Sequence, residues 1–317
     1  MKEKLIVSSS PHIHNGTTTH KIMLDVILAL VPAVVASVIL FGPRALLLIF
    51  VSIAACVVSE YICRKVMKRE NTIGDLSAVV TGLLLALNLP VSINPLIAAF
   101  GGVIAIVVVK QMFGGIGQNF VNPALAARII LLNSFPKDMT TWTQPFSYKY
   151  VDAITTASPL GLLKQGAPVS QLPSLLNMFV GDRAGCLGET CTLALLLGGI
   201  YLVARKVISP VIPLCYLGTA AVLSACMGRN VLIDLLSGGL MLGAIFMATD
   251  YTTSPMTVKG QIIYAIGCGV VTMLIRNFGN LPEGVSYAIV LMNILVPLID
   301  SGTRPVAFGK EPSKNET

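Results

Sequence analysis

The sequence predicts an all-α polytopic membrane protein of about ten transmembrane helices, arranged as two inverted five-helix repeats with one long extracytoplasmic loop. Three observations support this prediction. The chain is 54% hydrophobic and only 12% charged, whereas soluble domains carry about 25% charged residues. Apolar segments of bilayer-crossing length recur along almost the whole chain. Gly, Pro and Asp residues recur at matching places in the two halves.

The net charge of +7 does not indicate nucleic-acid binding. The basic residues are scattered between apolar segments and form no stripe interleaved with aromatic residues. Basic residues placed in this way are typical of a membrane protein, in which they set the orientation of the helices. The polar segment 1–21 contains no apolar core, so we do not expect a cleaved signal peptide.

Ten apolar segments are predicted to be spans. They are 22–41, 43–62, 75–90, 93–113, 122–135, 185–204, 207–227, 231–249, 260–276 and 284–300. The third and fifth segments are short for a full crossing, so we expect them to be tilted, broken or re-entrant.

The distribution of Lys and Arg sets the predicted orientation. With a cytoplasmic N-terminus, fifteen basic residues, Arg128 among them, lie inside and seven lie outside. Both termini are then cytoplasmic. The predicted division is a cytoplasmic segment 1–21, a first repeat 22–135, an extracytoplasmic loop 136–184, a second repeat 185–300 and a cytoplasmic tail 301–317.

The two halves match at an offset of 159 or 160 residues. The matching pairs are Asp75 with Asp234, Pro95 with Pro255, Gly101 with Gly260 and Pro123 with Pro282. The offset corresponds to five spans, an odd number, so the halves would be inserted upside down relative to each other, as in many transporters. The alternative is a chance alignment of residues that are common in membrane helices.

The long loop contains the string DAITTASPL, from Asp152 to Leu160. Its Asp, Ser, Thr and Pro residues are common in turns, and composition alone favours a turn. Ser158 is expected to be an exposed loop hydroxyl whose loss costs little stability.

The string GGIGQNFVNPALAAR occupies 114–128, between two spans. It lacks the Lys-Ser/Thr of a P-loop and follows no strand, which excludes ordinary nucleotide binding. Within a membrane it indicates a discontinuous helix whose unwound backbone lines a cavity. Close helix packing through small residues is an equally good interpretation. The string NFGNLPEGV before the last span has a similar polar break.

Four acidic residues are candidates for an ion path, because charges at membrane depth are costly and usually functional. They are Asp75, Glu189, Asp234 and Asp250. Each lies near a predicted helix end, where solvation or the helix dipole offers a simpler explanation.

Of the seven cysteines, only two are close in sequence, Cys186 and Cys191 in GCLGETC. This pair could contribute to an iron–sulfur site, but without a second pair a buried structural role is favoured.

Six strings together resemble one known family, the D subunit of the Rnf complex, which is related to the B subunit of the Na⁺-translocating NADH:quinone reductase. The strings are SSSPHI, GGIGQNFVNPALAAR, DAITTASPL, MATDYTTSPMT, NFGNLPEGVSYAIVLMN and PLIDSGTRP. They occur in the expected order over roughly 7–306.

This resemblance implies a membrane subunit of an ion-translocating ferredoxin:NAD⁺ oxidoreductase in the bacterial inner membrane, with subunits of types A, B, C, E and G as partners. Electron transfer would drive Na⁺ or H⁺ outward. The resemblance also implies FMN held covalently on the outer side. Some relatives bind riboflavin as a second flavin, to which no residue can be assigned here.

The resemblance identifies Ser158 as the hydroxyl to which a flavin transferase links the FMN phosphate. Asp152, Thr155 and the small Ala157 would serve recognition by that transferase. The family usually has Thr at the acceptor position and often Gly where this chain has Thr156. Thr156 is therefore the alternative acceptor.

Two other functional classes remain open from the sequence. A secondary transporter of a small anion would also have inverted halves and broken helices, and DAITTASPL would then be an ordinary turn. A structural anchor for partner subunits would need neither feature. Flavin that stays attached after denaturation distinguishes the redox carrier from both.

Overall fold

The computed structural model describes residues 18–149, 155–168, 172–279 and 283–304. In this part of the chain nearly all regular structure is helical. The sheet found there is an antiparallel pair of two-residue strands, β1 (Trp142–Thr143) and β2 (Thr155–Thr156). By length and composition, four helices could cross a membrane, and shorter apolar helices lie between them. The fold is thus that of an all-α, multi-pass membrane protein.

The first half begins with two long helices, which are followed by three shorter ones. These are α1 (Thr19–Phe41), α2 (Pro43–Val66), α3 (Ser77–Leu87), α4 (Pro95–Val103) and α5 (Pro123–Ser134). Helix α4 continues as a π-helix over Ile104–Gln111. Helices α4 and α5 each begin with Pro after an Asn cap, because Pro lacks the N–H that a first turn leaves unpaired.

Short elements form the connection between the halves. They are α6 (Pro136–Thr140), the two strands, a 3₁₀ turn (Ser147–Lys149), α7 (Pro159–Lys164) and α8 (Leu175–Val180). We call the end of the molecule that carries them the loop side. The opposite side carries the start of α1, where the His20 ring Nδ1 lies 2.7 Å from the Gly74 carbonyl.

In its described residues, the second half ends with two long helices, which follow four shorter ones. It contains α9 (Thr192–Ala204), α10 (Val211–Cys226), α11 (Val231–Leu236), α12 (Leu240–Leu242), α13 (Val258–Phe278) and α14 (Val285–Thr303). Helix α12 continues as a π-helix over Gly243–Met247.

Each of the ten predicted apolar segments contains helix, but two differ from expectation. Segment 185–191 is not helical, because it pairs with the turn after α3. The Gly188 N–H donates to the Leu87 carbonyl at 2.7 Å, and the Leu187 N–H donates to the Leu89 carbonyl at 3.0 Å. Segment 231–249 breaks between α11 and α12, where Gly238 adopts a φ of +63° that side-chain-bearing residues rarely reach.

The second helix of each half packs on two other helices of that half. Helix α2 packs on α3 and α4, and α10 packs on α11 and α13, while α1 contacts α9 and α5 contacts α14 between the halves. Gly198 of α9 lies directly against the backbone carbonyl of Ala29 in α1. Small residues at such crossings let two backbones approach closely in a membrane protein.

Candidate functional site

Ser158 is the residue before α7 and caps that helix. Its backbone is extended (φ −66°, ψ 154°) and its hydroxyl accepts a hydrogen bond from the Gly161 N–H at 3.2 Å. The side chain is only 5% exposed. The expectation of an exposed loop hydroxyl was therefore wrong, because capping draws the Ser158 oxygen into the first turn of α7.

Thr156 differs from Ser158 in accessibility. It lies on β2 opposite Trp142 and is exposed. The backbone of Thr155 pairs with Thr143, and Ala157 is half-buried. Asp152 lies outside the described residues. Exposure alone thus favours Thr156 as the acceptor, whereas the sequence motif favours Ser158.

A cavity of about 210 Å³ adjoins α7 on the loop side. We call it the α7 cavity. Its lining residues are Leu160, Leu163, Lys164, Arg229, Arg276 and Asn277. Leu160 and Arg276 come together at Gly238, since a Cβ added to Gly238 would lie 2.8 Å from Leu160 and 3.2 Å from Arg276. The break between α11 and α12 therefore forms part of the surroundings of this cavity.

Three of the residues that line the α7 cavity are cationic. Arg229 makes a two-pronged ion pair with Asp234, with nitrogen–oxygen distances of 2.8 and 2.7 Å. Arg276 is 4% exposed and donates to the carbonyls of Asp234 at 2.6 Å and Ser237 at 3.0 Å. Its buried Nε has no hydrogen-bond partner among the described residues. Burial and the nearby Arg229 cation both lower the pKa of Lys164.

Sequence reasoning missed this convergence. It counted Lys164, Arg229 and Arg276 only as topology signals, because they belong to three elements far apart in the chain. It did assign all three to the outer side, which agrees with their common location on the loop side.

A second buried polar cluster joins α5, α14 and segment 185–191. Arg128 donates to Glu283 at 2.5 Å, to the Ser286 hydroxyl at 2.8 Å and to the Cys186 sulfur at 3.5 Å. Glu283, in turn, approaches Gly238 beside Arg276. Arg128 was grouped with the inner-side basic residues, whereas its partner Glu283 lies next to residues of the loop side.

Glu189 occupies the same region and is 2% exposed. One carboxylate oxygen accepts from the Cys186 N–H at 2.9 Å, and the other has no partner in the described part of the chain. The Arg183 side chain donates to the carbonyls of Glu189, Thr190 and Leu236. Arg183 therefore holds segment 185–191 against the end of α11.

The two close cysteines differ in burial. Cys186 is 1% exposed, which agrees with a buried structural role, and Cys191 is half-buried at the start of α9. In the described residues no group of three His, Cys, Asp or Glu side chains is placed to hold a metal ion.

A third polar cluster lies on the opposite side, at the end of the π-helix. Lys110 donates to Glu60 at 2.8 Å and to the Ser77 hydroxyl at 2.6 Å. Gln111 donates to Glu60 at 3.0 Å. Glu60 is fully buried and Lys110 is 3% exposed. Glu60 was not identified from the sequence, because it lies within a long apolar helix and belongs to no recognisable motif.

The other three ion-path candidates, Asp75, Asp234 and Asp250, have surroundings different from those of Glu189. Asp75 accepts from the N–H and hydroxyl of Ser77 at 2.8 and 2.5 Å. Asp234 is paired with Arg229, as described above. Asp250 follows the π-helix of α12, and its carboxylate accepts from the hydroxyls of Thr252 and Thr253 at 3.2 and 3.3 Å.

Asp250 also lines a second cavity toward the opposite side, which we call the Asp250 cavity. Lys110, Asn119 and Asn122 line it too, and its other walls are mostly apolar. Asn122 caps α5 after the Gly-rich string, in which Gly114, Gly115 and Gly117 all have positive φ. Between Gln111 and Pro123 the backbone is not helical, and Ile116 of this string lines the Asp250 cavity.

Comparison with known proteins identifies the family. The model of the NQR2, RnfD, RnfE family matches residues 6–309. The chain is 49% identical over 314 residues to the D subunit of the Na⁺-translocating ferredoxin:NAD⁺ oxidoreductase complex of Acetobacterium woodii, covering 98% of each chain. It is 46% identical to the D subunit of the proton-translocating ferredoxin:NAD⁺ oxidoreductase complex of Clostridium ljungdahlii, covering 97% of each. The D subunit of an ion-translocating oxidoreductase complex of Stutzerimonas stutzeri is 39% identical, with 93% of each chain covered. The chain therefore belongs to the NQR2, RnfD, RnfE family.

Proposed function

We propose that this chain is the D-type membrane subunit of an Rnf complex, an ion-translocating ferredoxin:NAD⁺ oxidoreductase. The observation that carries the proposal is 49% identity to such a subunit over 98% of both chains. The subunit has no complete activity alone, and its partners are the A, B, C, E and G types. The names of two relatives differ in the ion, Na⁺ in one and H⁺ in the other. Either ion is thus compatible with the family.

The subunit carries FMN, linked through its phosphate to Ser158 by a flavin transferase. The motif from Asp152 to Ser158 supports this assignment, with Thr155 and Ala157 in recognition and Thr156 as the alternative acceptor. The surroundings fit such a group, since the adjoining α7 cavity is cationic and lies beside the buried Nε of Arg276, which has no acceptor among the described residues. Bound FMN would supply a centre that accepts and releases electrons.

Because Ser158 is buried as a helix cap, its modification requires the first turn of α7 to open. A six-residue helix at the molecular surface is among the elements that unfold locally at low cost. The transferase would therefore act on an opened α7, which re-forms afterwards. Riboflavin, as a second flavin, remains a prediction to which no residue is assigned.

The architecture is that of ten transmembrane helices in two inverted repeats, 22–135 and 185–300. Residues close to a two-fold axis contact their own symmetry equivalents. The amide of Asn88 donates to the sulfur of Met247 at 3.5 Å, and these residues are 159 positions apart, the offset expected from the sequence. Contacts of α1 with α9 and of α5 with α14 support the same relation.

In this arrangement the loop 136–184 is extracytoplasmic, and the segments 1–21 and 301–317 are in the cytoplasm of a bacterial cell. The loop-side location of Lys164, Arg229 and Arg276 supports this orientation, because these were among the few basic residues assigned outside.

Among Asp75, Asp234 and Asp250, the last is our choice for the ion path. Asp75 caps a helix and Asp234 is neutralised by Arg229, so both have local structural roles. Asp250 borders a cavity, and its carboxylate accepts from threonine hydroxyls rather than pairing with a cation in the described residues. Oxygen ligands of this kind suit a hard cation such as Na⁺ as well as a proton.

The test is in-gel fluorescence of the denatured subunit. When the protein is produced together with a flavin transferase, the band should fluoresce, and production without the transferase should give a dark band. A dark band in both cases would exclude the covalent flavin and leave an anion transporter or a structural anchor.

A further inference from the structure

The α7 cavity combines features that the attachment motif does not explain. Lys164, Arg229 and Arg276 approach from α7, from the loop before α11 and from α13. Asp234 is bonded to Arg229, but among the described residues no carboxylate lines the cavity itself. Asp234 and Glu283 lie close enough to Arg276 to offset its charge. Asp234 also pairs with Arg229, so the cavity brings these cationic donors together without strong mutual repulsion.

The geometry around Arg276 supports an anion at this place. The side chain is 4% exposed, and two of its nitrogens donate to backbone carbonyls, which fixes the guanidinium. Its remaining Nε lies buried without an acceptor in the described part of the chain. A buried donor without a partner is unfavourable, and Arg276 lines the α7 cavity, where an anionic oxygen would offer an acceptor.

Arg229 and Lys164 complete a set of donors. The guanidinium of Arg229 is held by Asp234 on one side and by the Asn277 side-chain oxygen, at 2.9 Å, on the other. Lys164 is exposed at the end of α7, and its ammonium also donates to the Gly279 carbonyl. Fixed guanidinium groups and an ammonium are the usual ligands of phosphate oxygens in proteins.

We propose that the α7 cavity is a phosphate-binding site, and that its occupant is the phosphodiester of the flavin attached to α7. This inference rests on the proposed function for the identity of the occupant, but not for the existence of the site. Leu160 lies two residues after Ser158 and lines the cavity, whereas Ser158 itself is not one of the lining residues. Binding there would restrict the flavin to one position instead of leaving it on a mobile tether.

The test compares the subunit produced with and without a flavin transferase, each purified in detergent. Thermal unfolding is measured in 20 mM inorganic phosphate and in chloride of equal ionic strength. For a site with a dissociation constant near 1 mM, phosphate should raise the midpoint of the unflavinylated protein by about 3 °C. The flavinylated protein should show no rise, because its own phosphodiester fills the cavity.

Two variants test whether phosphate raises the unfolding midpoint by binding in the α7 cavity. Lys164→Glu reverses a charge at the cavity and should abolish the rise in the unflavinylated protein. Lys137→Glu makes the same change on exposed α6, outside the cavity, and should keep the rise. Both lysines are exposed, so neither change should prevent folding.

Each of the remaining outcomes would refute one specific part of the proposal. No rise in the unflavinylated protein, or a rise that survives Lys164→Glu, would exclude the phosphate site. An equal rise in both preparations would mean that free phosphate or a lipid headgroup, not the flavin, is the occupant. A dark gel band from cells with the transferase would contradict the covalent flavin of the proposed function. The phosphate effect on that dark protein would still decide whether the site exists.

Discussion

Replacing Ser158 separates its two roles, as the proposed flavin acceptor and as the cap of α7. Ser158→Ala removes both the acceptor and the cap. Ser158→Thr keeps both, since Thr has a hydroxyl and also caps helices. Ser158→Asn keeps the cap, because the Asn side-chain oxygen accepts the same bond, but it cannot form a phosphoester. We expect fluorescent bands for the wild type and Ser158→Thr, and dark bands for Ser158→Ala and Ser158→Asn.

The magnitude of the capping effect follows from the bond to Gly161. Loss of a Ser cap costs about 1 kcal/mol. Because α7 has only six residues, this cost should appear as local opening rather than global unfolding. The Gly161 amide should exchange its hydrogen roughly fivefold faster in Ser158→Ala, since about 1.4 kcal/mol corresponds to tenfold. In unflavinylated Ser158→Asn the exchange rate should remain close to that of the unflavinylated wild type.

Mass spectrometry of the tryptic peptide between Lys149 and Lys164 identifies the modified residue. Thr156→Ala is the matched control, and it should keep the flavin. FMN that survives in Ser158→Asn, or that is found on Thr156, would refute the assignment of the acceptor. Unchanged exchange at Gly161 in Ser158→Ala would refute the capping geometry, whatever the flavin does.

Three further predictions concern stability and topology. Lys110→Met leaves Glu60 buried without its partner, which should lower the unfolding free energy by about 3–5 kcal/mol. Adding Glu60→Met should recover most of this loss in thermal unfolding, and a double variant no better than the single one would contradict the pair. Gly198→Val should separate α1 from α9 and cost about 1–3 kcal/mol. Gly218→Ala, whose Cβ meets nothing within 4 Å, should cost nothing, and equal midpoints for the two would disprove the close crossing. A cysteine at Lys164 should react with an impermeant reagent in intact cells, and labelling only after the membrane is opened would invert the orientation.

The helical segments could be predicted from the sequence because apolarity in a membrane protein depends on local composition. All ten apolar segments contain helix in the structure. The break at Gly238 and the non-helical segment 185–191 could not be predicted, because both depend on partners distant in sequence. Gly188 leaves the helical conformation to bond with the turn after α3, and that turn is about a hundred residues earlier in the chain.

The candidate site shows the same limit. The motif around Ser158 is contiguous, so its residues were identified from the sequence. The cations of the α7 cavity come from three elements, and only the fold brings them together. The burial of Ser158 was missed for a related reason. A hydroxyl before a Pro predicts a helix cap as well as a turn, and the composition of the loop favoured the turn.

The α7 cavity and the Asp250 cavity are connected by one short stretch of chain. Gly238 contacts Leu160 at the first cavity, and α12 with its π-helical extension leads from there to Asp250 at the second. A redox centre at α7 affects an ion at Asp250 only if the connecting structure has two states. The free-energy difference between those states must depend on the charge of the redox centre. Helix breaks at Gly238 and after Met247 permit such states, because a short helix between two breaks can shift without repacking a long one. Coupling in the proposed ion pump would therefore act through α12 more readily than through the long, continuously packed helix α13.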